Sequence, residues 1–235
     1  MQTYFMVGAG GTGTHLLPAL LAYLRNYHTI NGTDYQVVIA DGDNFDQANA
    51  TRQLFADGLV AVNKAEAMLT MFPGHPIIAV SRFIGRVDVE NMIQDGDCVL
   101  ICADNYSVRA LIAERVALLD KAVVINAGNE VNSGSVQLWV REGGENKTPP
   151  ITYGHPEIQY LAEDDRAPMT CAQVAAMPGG GQTIMANMTA ATYMLVALQR
   201  WHSGAYARPS WTELQFDLEA GAVEHIDMRL RRNWA

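Results

Sequence analysis

Two short stretches of the sequence hold residue types that could bind and cleave a nucleotide. The first is the glycine run Gly8-Ala9-Gly10-Gly11-Thr12-Gly13, which lies between an apolar segment and a leucine-rich helical pattern. A strand that leads into such a turn and then a helix directs backbone N–H groups, and the positive end of the helix, at one spot. We therefore expect phosphate to bind there, against Gly8, Gly10, Gly11 and Gly13.

The second stretch, residues 41–53, follows a strand-like apolar segment and carries carboxylates, amides and a guanidinium. Asp41 is positioned to bind ribose hydroxyls, but the glycine run and Asp41 alone fit a dinucleotide, a mononucleotide or a plain tight turn. A redox enzyme has no evident use for Asn49, Arg52 and Gln53 at these intervals. An enzyme that cleaves ATP between its α- and β-phosphates does, because charge builds up on the phosphoryl oxygens in the transition state.

Two further charged residues complete the candidate site. Lys64 opens a segment predicted to be helical, and Asp104 follows the apolar run 98–103. Ligands of open α/β sheets bind beyond the carboxyl ends of the strands, where the glycine run, Asp41 and Asp104 all fall. Asp104 is predicted to hold Mg²⁺, since phosphate-handling carboxylates ligate this ion through oxygen.

Three neighbouring residues have alternative interpretations. Asp43 either contributes to the nucleotide site or only braces the loop by accepting hydrogen bonds from nearby backbone N–H groups. Asn105 either contacts the nucleotide or caps the helix predicted to start near residue 106. Arg109 could simply lie on the surface of that helix.

The elements that must position these residues alternate between strand and helix. Pro18 lies inside the first helical pattern and predicts a kink or a late helix start. The β-α-β order predicts an α/β fold, a Rossmann-like doubly wound and mainly parallel sheet. Strands are predicted over 3–7, 35–40, 76–80, 97–103, 122–126 and 135–140, and helices over 12–26, 59–72, 88–94 and 106–119.

The rest of the chain is organised differently. Residues 141–181 lack clear periodicity, and a stretch of that length is usually functional or mobile. A long apolar helix is predicted next, and then two alternating segments that predict a C-terminal β-hairpin. We expect one domain over 1–235, divided into a nucleotide-binding half (1–140), an irregular crossover loop (141–181), and a helix and hairpin (182–235, with the helix over 182–201 and strands over 211–218 and 222–230).

The ordered motifs resemble the ubiquitin-activating superfamily in its short bacterial form, the ThiF/MoeB-type adenylyltransferases. The resemblance covers Met1 to about Val140 and rests on the glycine run, residues 41–53, Lys64, Ala103-Asp104-Asn105 with Arg109, and 124–128. It implies ATP-dependent adenylation of the C-terminal glycine carboxylate of a small ubiquitin-like β-grasp protein, with release of pyrophosphate. It assigns the ribose to Asp41, the phosphates to Asn49, Arg52, Gln53 and Lys64, and magnesium to Asp104.

The resemblance also bears on the cysteines and on assembly. Some relatives carry the activated partner as a thioester on a loop cysteine, a role that Cys171 could fill; the alternative is an inert thiol. Cys98 and Cys102 are expected to be core residues. Without a Cys-x-x-Cys pair the chain cannot build the structural zinc site of many relatives. A homodimer is expected by resemblance, but a helix that carries a trans-acting arginine is not, since the chain begins at the first strand.

Composition limits the classes of partner. The 235 residues are 49% apolar and 17% charged, as expected of a globular chain. A net charge of −9 without a basic run argues against nucleic acid and fits a partner with a basic face. No apolar segment reaches membrane-spanning length and the first residues resemble no signal peptide, so we expect no membrane contact and a cytoplasmic location.

Other functional classes stay open at the level of sequence. An NAD-dependent oxidoreductase would use the glycine run and Asp41 but leaves Asn49, Arg52, Gln53 and Lys64 unexplained. A non-catalytic partner-binding subunit of the same fold would be expected to have lost some of these residues. Adenylation of a small molecule or of an RNA base carboxylate is a further variant, and the acidic composition argues against RNA.

Overall fold

The computed structural model describes residues 1–160 and 181–230, which build one central sheet covered by helices. The strands are β1 Gln2–Val7, β2 Tyr35–Ala40, β3 Ile77–Val80, β4 Cys98–Ile101, β5 Ala122–Asn129, β6 Ser133–Glu142, β7 Glu145–Asn146, β8 Glu213–Asp217 and β9 Ala222–Ile226. The helices are α1 Gly11–Asn31, α2 Lys64–Met71, α3 Arg86–Met92, α4 Tyr106–Ala117, α5 Ile151–Gly154, α6 Glu157–Tyr160 and α7 Ile184–His202.

The sheet has the order β3-β2-β1-β4-β5-β6-β8-β9, with β7 paired to β6. The first five strands in this order run parallel, and β6, β8 and β9 are added in antiparallel pairs. The predicted Rossmann-like, mainly parallel sheet is therefore confirmed, and so is the C-terminal hairpin, which extends the same sheet. The carboxyl ends of β1, β2 and β4 lie side by side, because these strands are direct neighbours.

Apolar side chains cover both faces of the sheet. Helices α1, α2 and α7 pack on one face, where the leucine stripe of α1 lies in the larger core cluster. Helices α3 and α4 pack on the other face with α5 and α6. Among the described helices, none is both long and apolar enough to cross a bilayer.

Several predicted boundaries need correction. Helix α1 begins at Gly11 and continues through Pro18, so a late start at that proline is wrong. The buried leucines on both sides of Pro18 hold the helix against the sheet despite the missing N–H. Helix α2 begins at Lys64 rather than at residue 59, because the Asn63 side chain caps it by accepting from the backbone N–H groups of residues 65 and 66. The irregular stretch after residue 141 contains β7, α5 and α6, which are too short to produce a periodic signal.

A cluster of aromatic and histidine side chains joins α1 to α7 at the end of the sheet away from the glycine run. The hydroxyl of Tyr4 lies 2.9 Å from Nε2 of both His28 and His202, and Nδ1 of His202 lies 2.9 Å from the hydroxyl of Tyr23. Tyr4 has one hydroxyl hydrogen, so it donates to one imidazole and accepts from the other. Burial, and next the neighbouring His28, lower the pKa of His202 to about 4.

This cluster predicts an acid-sensitive fold. Because the folded-state pKa of His202 lies below its unfolded value, the unfolded chain binds the proton first as the pH falls from about 6.5 to about 4. The free energy of unfolding should therefore fall in that window, by about 1 to 2 kcal/mol from this group, since its partial exposure screens the effect. Urea unfolding at several pH values would measure it, with His202→Gln as the reference. The stability advantage of the wild type over His202→Gln should shrink toward pH 4, and a constant advantage would contradict the prediction.

Candidate nucleotide-binding site

One cavity of about 410 Å³ lies at the carboxyl ends of β1, β2 and β4. It brings together predicted site residues as far apart in sequence as Gly8 and Asn105, because β1, β2 and β4 all end at this edge. Nine of the predicted site residues line it, namely Gly8, Gly10, Gly11, Asp41, Asp43, Arg52, Lys64, Asp104 and Asn105.

The glycine run makes a turn with very little free space. Gly8 has φ +94°, and a Cβ there would lie 2.9 Å from the backbone nitrogen of Ala103. A Cβ on Gly13 would overlap the carbonyl oxygen of Gly8, so Gly13 lies beneath the turn and not in the cavity wall. At Gly10 the nearest heavy atom to such a Cβ is 3.9 Å away. The turn therefore needs glycine at Gly8 and Gly13 for its own packing, whereas Gly10 leaves open space on the cavity side.

Asp41 fastens the end of β2 to the glycine run. Its Oδ2 accepts a hydrogen bond from the backbone N–H of Ala9 at 2.7 Å, and its Oδ1 accepts from that of Asp43 at 2.8 Å. Burial raises the pKa of this carboxyl, and the charge of Lys64 opposes the change. Each carboxylate oxygen keeps a second lone pair, so Asp41 can also accept from ligand hydroxyls.

Lys64 is a buried cation that pairs with a carboxylate. Only 2% of the residue is exposed, and its Nζ lies 3.1 Å from Oδ2 of Asp43. Asn63 holds this pair in place, since its Nδ2 donates to the carbonyl oxygens of Asp41 and Asp43 while its Oδ1 caps α2. Asp43 therefore holds Lys64 in the cavity wall as well as bracing the loop through its backbone.

A short 3₁₀ helix, Gln47–Thr51, and the two residues after it carry the remaining predicted phosphate contacts. Arg52 lines the cavity and is 7% exposed, and its Nη1 lies 3.4 Å from Oε1 of Gln182. Asn49 and Gln53 are buried beside the cavity and do not line it. Both side-chain polar atoms of Gln53 lack a hydrogen-bond partner among the described residues, although the amide lies next to Gly10. A phosphate bound at the glycine run would give this buried amide a partner.

Asp104 is the exposed carboxylate of the site, one residue beyond the Ala103 that the turn packs against. No group of three or more metal-binding side chains occurs within the described ranges. Mg²⁺ does not require one, since it is commonly held by one or two carboxylates together with substrate phosphates. The position of Asp104 fits that kind of ligation.

Asn105 and Arg109 have clear local roles. The Asn105 side chain caps α4 by accepting from the backbone N–H groups of Ser107 and Val108. Arg109 is buried rather than lying on the surface of α4, and its guanidinium donates to the carbonyl oxygens of Ala103 and Ala127. These bonds tie the ends of β4 and β5 together beside the cavity. Cys171 lies outside the described residues, whereas Cys98 is buried and Cys102 is half-buried, as expected of packing residues.

Sequence reasoning missed several residues that complete this site. Asn187, on α7, is fully buried; it accepts from Asn129 at 2.7 Å and from Thr12 at 3.4 Å, and donates to the carbonyl oxygen of Arg52 at 3.4 Å. It packs so closely on Gly11 that a Cβ there would overlap its amide. The exposed ring of Phe83 borders the cavity against Gly42. No local sequence signal separates Asn187 from any other polar residue of a helix.

The fold and the cavity together define a Rossmann-like, nucleotide-binding α/β domain. A model of the ThiF family matches residues 1–232. The chain therefore belongs to the ThiF family, which confirms the resemblance found in its motifs.

Solved structures with the same fold are distant in sequence. Escherichia coli MccB solved with ATP superposes with a TM-score of 0.65 at 16% identity, over 96% of this chain and 63% of MccB. MccB in complex with N-formylated MccA superposes with a TM-score of 0.64 at 15% identity, over 96% of this chain and 64% of MccB. PaaA superposes with a TM-score of 0.67 at 14% identity, over 97% of this chain and 73% of PaaA. The chain thus spans less than two thirds of the length of MccB, and no match was found among curated proteins.

Proposed function

We propose that this chain is an ATP-dependent adenylyltransferase that activates the C-terminal glycine carboxylate of a small ubiquitin-like β-grasp protein. The observation that carries the proposal is the convergence of the glycine run, Asp41 and two buried cations, Lys64 and Arg52, in one cavity. The likeness to MccB supports it, because that protein has been solved with ATP and with MccA.

The geometry suggests how these residues would act. The glycine run and the start of α1 would bind phosphate oxygens, while Asp41 would accept from the ribose hydroxyls. A carboxylate oxygen of the partner would attack the α-phosphorus, and the bond to the bridging oxygen of pyrophosphate would break. The products are an acyl-adenylate and pyrophosphate. Arg52 and Lys64 would stabilise the negative charge that builds up on the phosphoryl oxygens during this step.

Asp104 would hold Mg²⁺ together with the phosphates, and the ion would neutralise part of their charge. The other functional classes fit less well. An NAD-dependent oxidoreductase leaves the buried Lys64, its partner Asp43 and Arg52 without a role, and a non-catalytic subunit has no need to keep them. Transfer of the partner to Cys171 and assembly into a homodimer are predictions that follow from the family.

ATP–pyrophosphate exchange by the purified protein tests the proposal, with a panel of glycine-tailed ubiquitin-like proteins as candidate partners. Exchange that requires one partner is the expected result. Lys64→Met should lower that exchange about 100-fold, because it removes a buried charge that stabilises the transition state and leaves an apolar chain of similar length.

Lys147→Met is the matched control, since Lys147 pairs with Glu145 on the surface and lies outside the cavity. Its exchange rate should equal that of the wild type. Binding of NAD in place of ATP, or full activity of Lys64→Met, would contradict the proposal.

A further inference from the structure

A second concavity, of about 560 Å³, adjoins the nucleotide cavity over the antiparallel part of the sheet. It shares Asp104, Arg109 and Asn129 with that cavity, so the two lie side by side. An extended chain that lies in it would present its end to the nucleotide. We call it the acceptor trough, and the residues that define it are Asn126, Glu130, Gln137, His155, Gln215 and Glu224.

A buried carboxylate orders the polar side chains beneath the trough. Glu213 receives hydrogen bonds from Nε2 of His155 at 3.0 Å, from Nε2 of Gln215 at 2.7 Å and from Nε2 of Gln137 at 3.4 Å. Burial alone would raise the pKa of Glu213, but the hydrogen bonds from His155 and Gln215 outweigh it, so that the pKa is lowered. An ionised carboxylate only accepts hydrogen bonds, so Gln137 must direct its amide nitrogen toward Glu213.

This order fixes the next amide as well. With its nitrogen used by Glu213, Gln137 presents Oε1 to Asn126, whose Nδ2 donates to it at 2.7 Å. The hydrogen bonds that run from Glu213 through Gln137 thus end at Oδ1 of Asn126. This oxygen is buried and has no partner among the described residues, and Asn126 is only 3% exposed. An unpaired buried acceptor is costly, and reversing the amide would break the bond to Gln137. We therefore expect a ligand in the trough to donate a hydrogen bond to this oxygen.

The charges around the trough favour a cationic donor. The lining residues Asp104, Glu130, Asp217 and Glu224 are exposed carboxylates. The two basic groups among the described lining residues are already engaged. Arg109 donates to backbone carbonyl oxygens, and His155 lies between Glu157 at 2.7 Å and Glu213 at 3.0 Å. The described lining residues therefore present a net negative charge to a ligand.

We propose that the segment preceding the carboxylate to be adenylated, which would approach the nucleotide along the acceptor trough, carries lysine or arginine. This inference rests on the proposed adenylation. Backbone or side-chain N–H groups of the segment would supply a donor to Asn126, and its positive charges would lie against Glu130 and Glu224. An acidic tail would be repelled from the same surface.

Three labelled heptapeptides test the proposal. Each consists of alanines and ends in two glycines with a free carboxylate, and positions two and four hold lysine, glutamine or glutamate. Fluorescence anisotropy without nucleotide should show the lysine peptide binding at least about tenfold more tightly than the glutamine peptide at low salt, with the glutamate peptide weakest. The preference should decline as salt is added, because the carboxylates are exposed.

Glu130→Gln/Glu224→Gln should reduce the preference for lysine to less than about threefold. The matched control Glu90→Gln/Asp120→Asn, which removes two exposed charges from elsewhere on the surface, should keep it. Equal binding of the three peptides, no binding of any of them, or an unchanged preference in the first variant would overturn the inference. A lysine preference without ATP–pyrophosphate exchange would overturn only the proposed adenylation. ATP–pyrophosphate exchange that is equally fast whatever the charge of the acceptor's tail would overturn only the inference about the trough.

Discussion

A single methyl group at Gly13 is expected to prevent the nucleotide-binding turn from forming. The Cβ of Gly13→Ala would overlap the carbonyl oxygen of Gly8, which is held because Gly8 itself packs on the backbone of residues 102 and 103. The overlap can be relieved only if the start of α1 moves away from β4. The free energy of unfolding should therefore fall by about 3 kcal/mol or more. This is a large share of the roughly 5 to 15 kcal/mol of a typical domain. Urea unfolding followed by circular dichroism measures the loss.

Gly10→Ala is the informative counterpart. The nearest heavy atom to its Cβ would be 3.9 Å away, so the free energy of unfolding should change by no more than about 1 kcal/mol. The methyl group instead enters the space where phosphate would lie, and ATP affinity measured by calorimetry should fall at least about tenfold. Equal destabilisation by the two substitutions would refute this reading of the turn. Unchanged ATP affinity of Gly10→Ala would show that the phosphate does not bind at the glycine run.

Asp104→Asn should lower the rate of ATP–pyrophosphate exchange by about 1000-fold. The substitution keeps the size of an exposed side chain but removes the charge that would hold Mg²⁺ beside the phosphates, and a metal ion supplies several kcal/mol of charge stabilisation. The midpoint of urea unfolding should stay within experimental error of the wild type. The exchange rate should recover in part as the Mg²⁺ concentration is raised, because weaker ligation is offset by mass action.

Asp120→Asn provides the comparison for Asp104→Asn. Asp120 is also an exposed aspartate, but it precedes β5 at the opposite edge of the sheet. The Asp120→Asn variant should catalyse ATP–pyrophosphate exchange at the wild-type rate. Wild-type exchange by Asp104→Asn would show that the carboxylate does not hold the ion.

The parallel half of the fold could be predicted because its signals are local. Each buried strand is a short apolar run bounded by polar residues, and the glycine run fixes how β1 leads into α1. Asp41 and Asp104 could be located for the same reason, since each follows the end of such a run. The chemistry of ATP cleavage grouped these positions with Arg52 and Lys64, and the family resemblance then gave the same grouping.

The features that escaped prediction depend on contacts distant in sequence. Asn187 touches Thr12 and Arg52 only because α7 packs beside α1, and the order of amides from Glu213 to Asn126 spans β8, β6 and β5. For Arg109 the sequence leaves a place on the helix surface open, but the residue is buried, because the ends of β4 and β5 offer it carbonyl oxygens. Pairing of this kind leaves no periodic or compositional trace in the chain.

The hydrogen bond between Thr12 and Asn187 also has a consequence during protein synthesis. These residues are 175 positions apart, so at about 5 to 20 residues per second the ribosome adds Asn187 on the order of 10 to 40 seconds after Thr12. Throughout that interval the nascent chain has the glycine run but not the helix that buries Gly11 and supports Arg52. The packing around Gly11 and the contact to the carbonyl oxygen of Arg52 are therefore completed only in chains whose translation has passed α7.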